Sequence, residues 1–399
     1  MKLPTGIPNP NNKVCKLQKS LYGLKQASRQ WFAKLHNELL LQGFKQSKND
    51  YSLFIQTTNS SLTIVAVYVD DIILTGNDHT IITQLKHHLH KVFSIKDLGR
   101  LHYFLGIEVS YVPQGIILTQ HKYTKELLQA SGLNDFKAAV TPLPQNMKLS
   151  STEGTLITDP LYYRSMVGKL NFLTNTRPDL AYSVHHLSQF MQQPRDTHLQ
   201  ALHHTLGYVA HTSGQGILMN GADKLILQAF CDSDWASCPD SRKSVSGYIL
   251  QLGKSPISWK SKKQATVSRS SAEAEYKAMA NAAAEVTWMV RLLTDLGFPI
   301  HEPVTLHCDN QSAIYIAKNP VFHERTKHIA IDCHFTREKV MEGLIQLTYL
   351  PTSSQIADIF TKILPSHQFN KLLTNLGAIS AKIVGGVKNT TTYTNEHVP

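Results

Sequence analysis

Four acidic residues in the second half of the chain stand at the ends of separate elements of the hydropathy pattern. Asp232 closes a β-like apolar run, Glu275 lies in the first turns of a long helical pattern, Asp309 follows another β-like run, and Asp358 sits in a short helical stretch. Gathered carboxylates repel one another. A pair of hard divalent cations removes that cost, because Mg²⁺ takes oxygen ligands and two ions about 3.5–4 Å apart stabilise both the attacking and the leaving oxygen of a phosphodiester cleavage. Each acid also has an ordinary explanation. Asp232 and Asp234 could be turn residues, Asp309 or Asn310 a helix N-cap, and Asp358 a solvated partner of Lys362 at i,i+4. Taken singly, the ordinary explanations are the stronger. The joint order on strand, helix, strand and helix turns the balance toward metal chemistry.

Periodicity separates the two glutamates at the head of the long helix. Glu275 shares a face with Met279, Ala283, Val286 and Val290, whereas Glu273 precedes Lys277 at i,i+4 and follows Ser270 in the S-x-x-E spacing of a capping box. Glu275 is therefore the inward acid. A further acidic pair, Asp70 and Asp71, interrupts SLTIVAVYVDDIILTG, which reads as a hairpin with the acids at its tip. A plain turn would carry Gly or Asn there, so a turn role explains the pair poorly.

From residue 225 the pattern runs strand (LILQAFCD), strand (SGYILQLG), strand (ISWKSKK), long helix, strand (VTLHCD), helix (NQSAIYIAKN), a basic stretch, strand (IQLTYL) and short helix (QIADIFTKIL). This is a mixed α/β plan. Ahead of it, residues 161–212 are helical by pattern, and the polar, turn-rich TPLPQNMKLSSTEGTLITDP predicts a domain boundary. Residues 14–43 place Trp31, Leu35 and Leu39 at helical spacing and end on a glycine suited to stop a helix. The Pro-, Gly- and Asn-rich start reads as a cut edge, and the polar end should fray. The expected division is residues 1–140, 141–223, 224–365 and a partly disordered tail at 366–399.

With 399 residues, 42% hydrophobic and 17% charged, the chain has room for two or three globular domains and is neither disordered nor membrane-like in composition. The net charge of +11 favours polyanionic partners, nucleic acid first, against the alternative of a basic protein that binds nothing in particular. Cys15, Cys231, Cys238, Cys308 and Cys333 form no CxxC pair, which suits a reducing compartment. No apolar run approaches the ~20 residues of a bilayer span, and the opening lacks the apolar core of a signal peptide. The expectation is an intracellular protein, cytoplasmic or nuclear.

CDSDWASCPDSRKSVSGY, SWKSKKQATVSRSSAEAEYKAMA, LHCDNQSA, FHERTKHIAIDCHFTRE and ADIFTK closely resemble the ribonuclease H domain of copia-type retrotransposons. The resemblance implies that Asp232, Glu275, Asp309 and Asp358 hold Mg²⁺, or Mn²⁺ in its place, and cut the RNA strand of an RNA–DNA hybrid to leave a 3′-hydroxyl. His328 would assist product release or proton transfer, the alternative being a surface histidine in a phosphate-binding stretch. Lys260, Lys262, Lys263, Arg269, Arg325, Lys327 and Arg337 could contact phosphates, which position the strand without reading it, or could form a solvated basic face. The ribose 2′-OH would have to be recognised for DNA to be left alone.

KLQKSLYGLKQASRQWF, GFKQSKNDYSLF, VYVDDIILTGND, LGRLHYFLGIEV and YRSMVGKLNFLTNTRPDLAYSVHHLSQFM resemble the copia-type reverse transcriptase, which extends the resemblance to nearly the whole chain. It implies that Asp70 and Asp71 are polymerase Mg²⁺ ligands and that Lys25 and Gln26 lie near template and nucleotide, or else on a helix surface. The family's further catalytic aspartate comes from an earlier palm strand, and this sequence starts after that point, so DNA synthesis is expected to be lost. Ser28 in place of the usual proline, few basic residues in ALHHTLGYVAHT, and Ala330 in place of a common acid read as drift in a decaying copy. The expected fold class is α+β and α/β: a partial reverse transcriptase palm with thumb or connection, then a ribonuclease H-like mixed five-stranded sheet flanked by helices. The alternative function is a catalytically inert nucleic-acid-binding relic.

Overall fold

The computed structural model describes residues 2–3, 6–9, 11–16, 23–58, 60–221, 224–319 and 330–380. They fall into two compact units, one of residues 1–99 with 288–299 and one of residues 100–287 with 300–399.

In the first unit the periodic apolar residues form α1 (Ala27–Leu41), with Leu35 and Leu39 fully buried. Gly43 ends it at φ +85°, a left-handed conformation that a β-carbon disfavours. Strands β1 (Lys45–Gln46), β2 (Leu53–Thr57), β3 (Leu62–Tyr68) and β4 (Asp71–Gly76) follow as an antiparallel sheet in chain order. Helix α2 (His79–Phe93) starts where the Asp78 side chain accepts hydrogen bonds from the N–H groups of Thr80 and Ile81. Alternate residues of β3 point inward, so Val65 and Val67 meet Leu35, Leu39, Phe54, Leu85 and Leu89 in one core.

The second unit opens with β5 (Tyr103–Phe104), β6 (Ile107–Val112) and β7 (Gly115–Thr119). Helices α3 (His121–Ala130), α4 (Pro160–Leu173), α5 (Ala181–Ser188) and α6 (Asp196–His211) lead to β8 (Gln215–Asn220). Then come β9 (Leu227–Asp234), β10 (Val245–Leu252), β11 (Ser255–Lys263) and the long α7 (Ser271–Asp295), of which residues 271–287 belong to this unit. The chain continues through β12 (Val304–Cys308), α8 (Gln311–Lys318), α9 (Ala330–Met341), β13 (Ile345–Tyr349), a 3-10 turn (Ile356–Phe360), α10 (Ser366–Asn375) and β14 (Ala378–Ser380).

Among the described residues these strands make two five-stranded sheets. One has the order β11-β10-β9-β12-β13, antiparallel from β11 to β9 and parallel from β9 to β13, which is the mixed sheet the pattern predicts. The other, β14-β8-β7-β6-β5, joins segments far apart in sequence. No helix among the described residues is long and apolar enough to cross a membrane.

Two expectations about organisation meet a different structure. The stretch 141–160 lies inside the second unit: Leu143 and Leu149 are each 2% exposed, and Ser150 Oγ and Ser151 N donate to Asp240 at 2.7 and 2.8 Å. Ser150 and Ser151 spend these groups on a neighbouring loop, which composition could not reveal, while residues 151–156 stay exposed. The segment after Pro365 begins as ordered structure, because Phe369 and Leu372 of α10 are buried and β14 pairs with β8. The polar end expected to fray, VKNTTTYTNEHVP at 387–399, lies outside the described residues. The short helix expected over QIADIFTKIL is the tighter 3-10 turn, opened by Gln355, whose side chain accepts from Ala357 N.

Candidate metal centre

Strand β9 runs at the centre of the mixed sheet, and Asp232 near its end is only 1% exposed. A carboxylate in that position needs cations or donors. The Thr361 hydroxyl donates to its Oδ2, and Lys362 Nζ lies 3.4 Å from the same atom. Gln355 Nε2 donates to Cys231 O at 3.0 Å and so fastens the 3-10 turn to β9. That turn carries Asp358, 1% exposed, which pairs with Lys362 at 3.0 Å through Oδ1. The i,i+4 pair read from the sequence as solvated is therefore present, but its acid is buried.

Helix α7 brings in the third acid. Ser270 Oγ accepts from Glu273 N at 3.2 Å, and Glu273 accepts from Arg269 N at 2.7 Å and pairs with Lys277 at 3.1 Å, so the cap forms where the spacing places it. Glu275 is as buried as Glu273, each 5% exposed, but it turns to the sheet and accepts a hydrogen bond from Ser233 N at 3.0 Å. Its helix-face companions Met279, Ala283 and Val286 are fully buried. The fourth acid, Asp309, follows β12 and accepts from Thr352 Oγ1 at 2.7 Å. Asn310 takes the N-cap role of α8, accepting from Ala313 N at 2.9 Å, and leaves Asp309 free of it.

These acids converge. Carboxylate oxygens of Asp232, Asp309 and Asp358 lie within 4.8 Å of one another, and Glu275, Cys308 and Asp309 form a second such group that shares Asp309. Burial first and Asp232 next hold Glu275 well above the usual carboxylate range. The same two causes push Asp358 up to about 7 against the pull of Lys362, and burial raises Asp309. Burial disfavours the Lys362 ammonium, but Asp232, Asp358 and Asp309 outweigh it and hold its proton more tightly. Among the described residues Lys362 is the ammonium paired with these acids, and one ammonium cannot neutralise this many carboxylates. Asp358 Oδ2 is buried with no hydrogen-bond partner among the described residues. The four carboxylates, with Cys308 beside Glu275 and Asp309, offer mostly oxygen donors and an orphaned buried oxygen, which fits a hard divalent cation such as Mg²⁺.

The remaining expected site residues are placed variously. Lys260, Lys262 and Arg269 are exposed. Lys263 is occupied, its Nζ 3.0 Å from Gln189 Oε1 and 2.9 Å from Cys238 Sγ. Arg337 is 8% exposed and donates to the Ile316 and Asn319 carbonyls, holding the end of α8, so its charge serves the fold and is not offered to phosphate. Arg325, Lys327 and His328 lie outside the described residues, as does the side chain of Ala330. In the first unit Lys25 and Gln26 are exposed just ahead of α1, and Asp70 and Asp71 are exposed at the β3–β4 tip. Neither aspartate belongs to a three-ligand group among the described residues.

Of the supporting residues, spacing alone singles out Lys362, as the i,i+4 partner of Asp358. Gln264, 8% exposed, donates to Ser246 Oγ at 2.9 Å and Ala274 O at 3.0 Å, tying β10 to the first turn of α7. Thr361, Lys362 and Gln355 stand beside Asp358 in the chain, but only the approach of the turn to β9 gives them Asp232 and Cys231 as partners.

Comparison with known proteins shows what the chain is similar to. The sequence model of the reverse transcriptase (RNA-dependent DNA polymerase) family matches residues 1–145. A retrovirus-related Pol polyprotein from transposon RE1 of Arabidopsis thaliana is 46% identical over 379 residues, 94% of this chain and 26% of that protein. An uncharacterized mitochondrial protein of Arabidopsis thaliana is 46% identical over 223 residues, 56% of this chain and 92% of that protein. A solved ribonuclease H1 in complex with an RNA/DNA hybrid overlays 37% of this chain and 99% of its own, at 12% identity and a TM-score of 0.26. The chain spans about a quarter of the transposon polyprotein, 26%. By the extent and level of identity, the chain belongs to the family of retrovirus-related Pol polyproteins of copia-type transposons.

Proposed function

We propose that the second unit, through residues 224–365, hydrolyses the RNA strand of RNA–DNA hybrids with Mg²⁺ bound by Asp232, Glu275, Asp309 and Asp358. The observation that carries this reading is the approach of the Asp232, Asp309 and Asp358 carboxylates to within 4.8 Å, with Glu275 joined through Asp309 and, among the described residues, Lys362 as the cation paired with them. Bound divalent cations supply an activated water and neutralise charge on the attacked phosphate and the leaving 3′-oxygen.

The protein's own residues do the positioning. Ser233 N–H keeps Glu275 turned toward β9, Thr352 fixes Asp309, and Thr361 fixes Asp232. Because these partners lie on the strand ends and the 3-10 turn, the acids need little reorganisation when a cation binds. The exposed Lys260, Lys262 and Arg269 are suited to phosphate contact, which orients a hybrid without reading its sequence. DNA synthesis by the first unit does not belong to the proposed activity.

The test is incubation of the purified full chain with a labelled hybrid and Mg²⁺, beside Asp232→Asn. Wild type should cut the RNA strand, and the variant should lose about a thousandfold or more in rate, since several kcal/mol of charge stabilisation depend on the metal cage. Hybrid binding without cleavage by wild type would leave the inert nucleic-acid-binding alternative.

A further inference from the structure

Lys362 stands where the acids need a cation. Its Nζ is 3.0 Å from Asp358 Oδ1 and 3.4 Å from Asp232 Oδ2, so it bridges two of the four carboxylates. The three side chains differ in their access to solvent. That of Lys362 retains 29% of its surface exposed, against 2% for Asp232 and 1% for Asp358. The acids also have support apart from Lys362: Asp232 accepts from the Thr361 hydroxyl and lies on the central strand, and Asp358 sits in a turn anchored by Gln355. Among the described residues the ammonium is anchored by the two acids, and it rides on a flexible four-carbon stem. A newcomer that takes the carboxylate oxygens can therefore displace the ammonium toward solvent while the acids stay in place.

We propose that Lys362 is a displaceable counter-ion, whose ammonium holds Asp232 and Asp358 together in the metal-free protein and must be expelled when a divalent cation enters. The residue thus stabilises the empty cage and weakens metal binding. This rests on the reading of the four acids as a metal site. It differs from a permanent structural ion pair, whose removal would disturb the cage and weaken metal binding with it.

Mg²⁺ binding to the full chain by titration calorimetry, with melting of metal-free and Mg²⁺-loaded protein, tests it on wild type, Lys362→Met and Asp232→Asn. The Met variant should bind Mg²⁺ about tenfold more tightly, because a competing unit charge a few ångströms away is gone. Its metal-free form should melt lower, and the gain in melting temperature on adding Mg²⁺ should widen. In wild type labelled with ¹⁵N-lysine, one slowly exchanging Nζ signal should disappear on Mg²⁺ addition, a readout that does not depend on the variant folding. Equal or weaker Mg²⁺ binding by Lys362→Met, or an Nζ signal that persists at saturating Mg²⁺, overturns the counter-ion while wild-type binding that Asp232→Asn abolishes keeps the metal site. Absence of Mg²⁺ binding in wild type overturns both.

Discussion

Gly247 is the register partner of Asp232 across the β9–β10 ladder, and a β-carbon at Gly247 would lie 2.6 Å from Phe360 Cβ and 2.8 Å from Thr361 Cγ2. The missing side chain is what lets the turn bearing Asp358 close upon the strand bearing Asp232. Gly247→Ala should push that turn outward, destabilising the protein by about 1–3 kcal/mol through overpacking. Mg²⁺ affinity should fall with it, because Asp358 and Thr361 both retreat from Asp232. Urea unfolding and a Mg²⁺ titration check this, and a variant matching wild type in both would show that the turn has room to shift.

The raised carboxyl groups make the metal-free protein sensitive to pH in a definite direction. Asp358, pushed up to about 7 from its ordinary 3.8, binds its proton more tightly folded than unfolded. Its contribution to stability is therefore present at low pH and lost as pH climbs from about 4 to about 7, and Glu275 and Asp309 shift the same way. Metal-free protein should lose on the order of a few kcal/mol between about pH 5 and about pH 8. Saturating Mg²⁺ should flatten the profile, and Asp358→Asn should reduce the slope. A level metal-free profile across that range would contradict the buried, under-neutralised cage.

Arg177 and Asp179 form an ion pair inside the second unit, with side chains 1% and 0% exposed and a 2.8 Å contact. Asp179 also accepts from Tyr208 Oη at 2.8 Å, and Arg177 donates to Thr212 O at 3.0 Å. Arg177→Met strands a buried carboxylate and should cost about 3–5 kcal/mol. The double variant Arg177→Met, Asp179→Leu should recover part of that, since neither charge then remains unpaired. Denaturant unfolding measures it, and a single variant within about 1 kcal/mol of wild type would show that the pair contributes little.

Asp70 and Asp71 are exposed at a hairpin tip and have no third acid grouped with them among the described residues. The expected outcome of a primer-extension assay on primed RNA is no Mg²⁺-dependent synthesis, because two carboxylates alone hold a pair of ions poorly in register. Extension that Asp70→Asn abolishes would show that the first unit completes its cage in some other way.

Much of the layout is legible in residue order alone. The hairpin of β3 and β4, the helix stop at Gly43, the cap formed by Ser270 and Glu273, and the inward turn of Glu275 are local consequences of residue spacing. They depend on contacts within a turn or two of chain, which periodicity encodes directly. Arg337 and the stretch 141–160 depart from expectation for the opposite reason. A cation or a polar loop looks solvated in sequence whether it meets water or a carbonyl from a distant element.

By itself the sequence determined which residues could do chemistry and, for most, on which kind of element each would sit: Asp232 and Asp309 at strand ends and Glu275 on a helix face, with Asp358 expected in a short helix that is a 3-10 turn. Tertiary structure alone decided that their oxygens meet, that Lys362 bridges two of them, and that Gly247 leaves the gap through which the turn approaches. The reason is physical: side-chain identity and period are written along one strand of chain, whereas charge neutralisation and close packing arise between segments more than 100 residues apart, as Thr361 and Asp232 are, 129 positions from each other.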